Sequence, residues 1–280
     1  MGYQLSSEEG NLESSATTVD FYQAFFTASR LVRAALTINA DSADATVLQS
    51  GSTSFMQGLS NYTIEVEALY PTSAPRYGNQ GFVTFASGYV PFIKSFSLDF
   101  DFGEIDITSR AAADGTALAA RIYRPAHRPI VTGTFTTLVD SAAKPTSVVA
   151  ANTAAAAATF KLAEGGAADP SFTGNIRTIS RTGPTIGPAG EQMVEYGFQF
   201  DGAVTSVAGT TGTPALLPAG TVDGADWDAS GAGLGNDIEF STVSGTSYTG
   251  TGFLRTLRVE VPSDGPIRVT GTIRGSGVLT

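Results

Sequence analysis

His127 is the only histidine in the chain, and there is no cysteine. It sits in Tyr-Arg-Pro-Ala-His-Arg-Pro (123–129), crowded by Arg121, Arg124 and Arg128. A Ser-His-Asp triad needs an imidazole that can become imidazolium, and neighbouring arginines oppose that charge. No G-x-S-x-G elbow accompanies it. One histidine without a thiol cannot build a His/Cys zinc site. Asp223, Asp226 and Asp228, in VDGADWDASG, come near a calcium loop. Their spacing misses the D-x-D-x-D-G pattern and no bidentate Glu closes the loop, so an acidic surface loop is expected. The glycines of GAGLGND (231–237) follow a loop, not a strand, and so do not read as a nucleotide cradle. Asp99 and Asp101 carry the two carboxylates a glycosidase needs, but they lie two apart on one strand. The single Trp gives little for a sugar platform. The chain is expected to have no catalytic, cofactor-binding or metal-binding residue and not to be an enzyme.

The elements around these residues read mostly as strands. Tyr62, Ile64, Val66 and Ala68 alternate with Thr63, Glu65, Glu67 and Leu69, a period of two residues. Phe92, Lys94, Phe96, Leu98 and Phe100 share one face of the next long segment, with Ser95, Ser97, Asp99 and Asp101 on the other. IVTGTFTTL (130–138) alternates again, and strands are also expected at 35–40, 82–86, 175–180, 192–204, 253–261 and 267–279. The Ala-rich stretch 144–163 predicts the one short helix, because alanine has the highest helix propensity. A helix or an opening strand both fit 19–34. Residues 1–18, polar with Glu8, Glu9 and Glu13, read as an N-terminal arm. Residues 207–246, rich in Gly, Ala and Asp around Trp227, read as a long loop or insertion.

Composition agrees with an all-β chain. Of 280 residues 42% are apolar and 10% aromatic, enough for a core, while only 15% are charged, too few to solvate helical faces. The net charge of −10 argues against gripping nucleic acid through its phosphates, which takes clustered Lys and Arg. No apolar run reaches the length of a membrane span, and the N-terminus shows no signal peptide, so no membrane partner is expected.

The chain also resembles itself. Ser171-Phe172-Thr173-Gly174-Asn175-Ile176-Arg177-Thr178-Ile179 answers to Ser247-Tyr248-Thr249-Gly250 and Phe253-Leu254-Arg255-Thr256-Leu257. A weaker pair, ALTINADSADAT (35–46) and FSLDFDFGEIDIT (96–108), lies in the first half. Residues 19–280 are therefore expected to hold two intertwined β units, one grouping 35–70 with 171–206 and the other 92–141 with 247–280.

FIKSFSLDFDFGEIDITS (92–109), VTGTFTTLVDS (131–141) and FLRTLRVEVPSDGPIRVTGTIRGSGVLT (253–280) resemble the major tail tube proteins of long non-contractile-tailed phages. The doubled chain is similar to the rarer form in which three subunits build a pseudo-six-fold ring instead of six building a hexamer. The resemblance implies β-sandwich or partial-barrel units and a structural virion protein. Its partners would be itself and other tail proteins. Stacked rings would form a channel through which DNA passes without specific binding. The chain would be made in the host cytoplasm and end in the virion tail. On that reading Glu65, Glu67, Asp99 and Asp101 are the candidate lumen-lining acids, and Arg121, Arg124, His127 and Arg128 the candidate inter-subunit contacts. The alternative is another virion β module, such as a head decoration, distal tail or adhesin protein that binds a partner surface. A β-sandwich hydrolase is the third class.

Overall fold

The structure, a computed structural model, describes residues 2–4, 11–14, 30–44, 55–70, 81–108, 120–126, 128–140, 144–150, 153–162, 170–187, 190–207, 216–217, 220–223, 236–241 and 247–280. Among these, 17 strands follow in chain order. They are β1 (Gly2–Gln4), β2 (Asn11–Ser14), β3 (Arg30–Asp44), β4 (Phe55–Tyr70), β5 (Phe82–Phe85) and β6 (Ile93–Asp101). Then come β7 (Glu104–Asp106), β8 (Tyr123–Pro125), β9 (Ile130–Leu138), β10 (Ala156–Lys161), β11 (Ser171–Ile186) and β12 (Gln192–Phe200). The last are β13 (Thr205–Val207), β14 (Gly220–Thr221), β15 (Asn236–Ser241), β16 (Ser247–Val261) and β17 (Ile267–Ser276), and the one helix is α1 (Thr146–Val149). The fold is all-β, as the sequence predicts.

Alternation decides which face is buried. In β4, Tyr62, Ile64, Val66, Ala68 and Tyr70 are buried, and the residues between them are partly or fully exposed. In β6, Phe96, Leu98 and Phe100 are buried while Asp99 and Asp101 face out. A slip of one residue would turn each set inside out, so the pattern fixes the register.

One antiparallel sheet runs β1-β3-β4-β17-β16-β6-β9-β12-β11-β10-β5, with β15 on β16 and β2 on β15. Two six-strand paths within it have the same order: β2-β15-β16-β17-β4-β3, and β5-β10-β11-β12-β9-β6. Two of their irregularities match as well, while the shifts at Ala40/Ser42 in β3 and Thr182/Thr185 in β11 have no counterpart. β3 bulges against β4 between Leu31 and Arg33, as β6 does against β9 between Ile93 and Ser95. β16 bulges against β17 between Leu254 and Thr256, as β11 does against β12 between Thr178 and Ser180. The row Ala35, Glu65, Thr272, Thr256 in the first path therefore corresponds to Ser97, Thr134, Gly197, Ser180 in the second.

The second path curls over its buried face. Phe160 of β10 stacks on Phe198 at 4.8 Å between ring centroids and also meets Phe96 at 5.6 Å. Phe96 lies on β6, at the opposite end of the same path, so β10 has folded back across it. Phe172 of β11 reaches Phe100 of β6 at 5.0 Å. Rings offset and tilted at these distances fill a partial barrel with large apolar area.

Four expectations change. The Ala-rich stretch is not a helix beyond Thr146–Val149: its second half is β10, where Ala158 and Phe160 are buried between β5 and β11. Strand pairing and burial on an existing sheet outweigh the alanine propensity. The grouping of segments is also different. Residues 55–70 are bonded to 267–276, and 130–138 to 192–200, so the second path is nested inside the first and not intertwined with it. The stretch 207–246 is not wholly loop, since β14 and β15 lie within it and Leu216, Leu217 and Ile238 are buried. From the expected arm, β1 and β2 pair with β3 and β15 of their own chain, because those strands offer open edges. His127, Asp226, Trp227 and Asp228 lie outside the described residues.

Candidate functional site: a concave polar face and two sheet edges

The outward residues of the central strands form continuous rows across the sheet. One row reads Arg33, Glu67, Thr270, Arg258, Asp99, Thr132, Gln199, Arg177. The next reads Ala35, Glu65, Thr272, Thr256, Asp101, Ile130. Where these rows cross β3, β4, β17, β16, β6 and β9 the sheet is concave, enclosing a cleft of about 550 Å³. Glu65, Glu67, Asp99 and Asp101 all line it, together with Arg33 and Arg258. The structure thus brings the four acids singled out from the sequence onto one wall.

That wall is not purely acidic. Arg258 Nη1 lies 3.0 Å from Asp99 Oδ1, and its Nε lies 2.7 Å from Glu260 Oε1. Glu260 first, and then the nearby Asp99, hold this guanidinium protonated even more firmly than a free arginine. Arg255 pairs with Asp101, and its Nε is 3.6 Å from Glu104. These arginines escaped notice as site residues because FLRTLRVEV reads simply as a strand. The signal was there in Arg258 and Glu260, two apart on its polar face.

The arginines near His127 part company. Arg121 bridges Asp41 at 2.7 Å and Asp106 at 3.1 Å within its own chain. Asp106 is held below the usual carboxylate range by the Thr108 hydroxyl and N–H, with Arg121 adding to the effect. Arg124 and Arg128 are exposed. Among the described residues no group of three or more His, Asp or Glu side chains could hold a metal ion. No helix among them is long and apolar enough to cross a membrane.

The two ends of the eight-strand stretch from β3 to β11 complete the site. At its middle β16 pairs with β6, Thr256 opposite Asp101 through Val261 opposite Phe96. The matching part of β11 is Ser180–Ile186, one residue longer because of a register shift between Thr182 and Thr185, and among the described residues it has no strand on the side where β16 meets β6. Every residue from Ile179 to Ile186 is exposed, Ile179 at 50% and Ile186 at 77%. At the other end β1 holds Ala35–Thr37 on the outer side of β3, and the next residue, Ile38, is 37% exposed, whereas its counterpart Phe100, covered at the junction, is 1% exposed. Arg181, Thr182, Pro184 and Thr185 give the open edge the polar and proline character that keeps an edge strand from pairing indiscriminately.

No protein-family model matches the chain, and no curated protein matches it.

Proposed function

We propose that this chain is a structural subunit that assembles edge to edge with its own copies, as the major tail tube subunit of a long phage tail. The observation that supports it most is the β16–β6 junction. It joins two six-strand paths of identical order, and the strands left at the ends, β11 and β3, are the counterparts of the two it joins. The matching order and matching bulges further support descent from a duplicated unit.

Eight alternating antiparallel strands leave β11 running opposite to β3, so a second copy adds without reversing the pattern. The contact is head to tail, and such contacts close into rings when the rotation permits. Size favours several copies. A barrel of about eight strands has an interior just filled by its own side chains, whereas about 16–18 strands leave an aqueous channel. Closing one chain on itself would bury Glu65, Glu67, Asp99 and Asp101, at a desolvation cost of several kcal/mol for each unpaired ion. Three copies supply about 24 strands and keep this face wet.

The concave face suits a channel for DNA. Arg258 and Arg255 are engaged by carboxylates and offer phosphates no free cation, and Glu65 and Glu67 repel them. DNA would then slide along this wall without binding it, inside a virion tail.

Electron microscopy of concentrated protein tests the reading. Rings or tubes about 100 Å wide are expected from some two dozen strands at about 4.8 Å spacing plus the outer layers. A solitary particle at every concentration, with binding to capsids or cells, would support the virion binding module instead.

A further inference from the structure

β1 pairs with β3 in antiparallel register, Gly2 opposite Thr37, Tyr3 opposite Leu36 and Gln4 opposite Ala35. It lies on the side of β3 away from β4. In the second path the corresponding side of β6 is held by β16, with Asp99 opposite Arg258, Leu98 opposite Val259 and Ser97 opposite Glu260. Thr37, Leu36 and Ala35 are the counterparts of Asp99, Leu98 and Ser97, because each set occupies the same rows of its path. The three residues that β1 covers are therefore counterparts of residues that β16 covers at the internal junction.

We infer that β1 is a latch: a strand of the same chain that occupies the docking edge of β3 until Ser180–Thr185 of a second copy displaces it. The inference rests on the self-assembly reading and adds its regulation. By equivalence with the internal junction, the incoming strand sets Thr182 opposite Thr37 and Ser180 opposite Asn39. Gly2 already stands opposite Thr37, so both strands cannot hold the edge at once.

The lengths decide the direction of exchange. β1 holds three residues of β3, whereas β16 holds six of β6, Phe96 through Asp101. A three-residue strand makes few ladder bonds, each of modest net value. It can delay pairing without preventing it. β2, the next strand in the chain, is bonded to β15 and not to β3, so β1 can leave the edge while β2 stays. The latch also protects the free subunit, because an uncovered edge pairs with any strand it meets. Only the edge of β3 is guarded this way. Ser180–Thr185 carries no such cover among the described residues and relies on its own polar side chains.

The absence of cysteine allows a clean test with the whole chain. Gln4→Cys with Ala35→Cys places two thiols directly across the β1–β3 ladder, within the separation a disulfide spans. The oxidised variant should stay unassembled where the same variant, reduced, assembles. A second variant lacking residues 1–8 keeps β2 and should begin to assemble at about one-tenth of the parent's concentration, since a covered edge lowers apparent affinity by the fraction of time it is free. Light scattering and sedimentation would read both. An oxidised variant that assembles as readily as its reduced form, or a truncated chain that assembles no better than an assembling parent, overturns the latch alone. Failure of the parent, the reduced variant and the truncated chain to assemble at any concentration overturns the self-assembly reading, and the latch with it.

Discussion

Arg258 reaches across from β16 to Asp99 on β6, 3.0 Å from guanidinium to carboxylate, and the counterparts of these two residues at the ends of the eight-strand stretch are Thr182 and Thr37. The same geometric position thus carries an ion pair inside the chain and two uncharged hydroxyls where a second copy would meet the first. A permanent junction can hold fixed charges, while a junction that must form on demand is better left neutral.

Charges placed at Thr37 and Thr182 should therefore control assembly. Thr37→Asp with Thr182→Arg transplants the internal pair and should lower the concentration needed for assembly by up to about fivefold, from the 0.2–1 kcal/mol of a cross-strand pair. Thr37→Arg with Thr182→Arg sets like charges opposite each other and should raise it by a similar factor. Sedimentation across a concentration series reads both. Asp99→Ala, in contrast, should cost under about 1 kcal/mol of folding stability, because that pair is part-exposed to water.

The aromatic barrel should be far less forgiving. Phe198 is fully buried among Phe160, Phe135 and Phe200. Phe198→Ala should destabilise the fold by about 3–5 kcal/mol, through lost burial plus the cavity left behind. Gly133→Ala acts by the opposite route. A methyl there would overlap the Ser97 carbonyl and come within 2.6 Å of Phe198 Cζ, so β6 or the Phe198 ring must shift. Urea denaturation should show both variants with lowered midpoints.

Alkaline pH should weaken the fold through Tyr89. Its phenol donates to Asp140 Oδ2 at 3.1 Å, and burial, aided by that carboxylate, pushes its pKa well up. In the unfolded chain a phenol ionises near pH 10, so above about that pH the unfolded state releases a proton that the folded state keeps. Stability from this group is fully present below the unfolded value and falls as pH rises beyond it. Thermal melts at about pH 9 and pH 11 should differ more for the parent than for Tyr89→Phe, which has no phenol to ionise.

Reversing the acids of the concave face should make it adhesive. Glu65→Lys with Glu67→Lys puts two cations beside Arg33 on the wall where the unaltered chain has carboxylates. Assembled variant particles should retain DNA at low salt and lose it as salt rises, the behaviour of phosphate contacts that release counterions. Unaltered particles should retain little at any salt. Nucleic acid recovered with the particles is the readout.

Much of the fold was legible because period-two strands announce themselves. Tyr62 to Tyr70, Phe96 to Asp101 and Ile130 to Leu138 alternate in the sequence as they do in the sheet. Glu65, Glu67, Asp99 and Asp101 followed from the same alternation and share one concavity. Propensity misled at 156–161, where an alanine run lies between two strands. The nesting of one path in the other was hidden because β4 meets β17 across about two hundred residues of chain, and nothing local encodes that choice. β15 was missed for a related reason. Asn236–Ser241 is short, and the alternation of Ile238 and Phe240 with Asp237 and Glu239 spans too few residues to stand out without its pairing to β16 and β2.

A cysteine pair across the proposed contact examines it most directly. Thr37→Cys with Thr182→Cys, in a chain with no other cysteine, puts one thiol on each of the two end strands in the register that β16 and β6 display. Oxidation of concentrated protein should yield a ladder of disulfide-linked multimers on a non-reducing gel, ending at the closed ring, and either single substitution, which leaves the facing position without a thiol, should yield no ladder. Monomers alone after oxidation of the double variant, at concentrations where the parent forms particles, would contradict edge-to-edge assembly through β11 and β3.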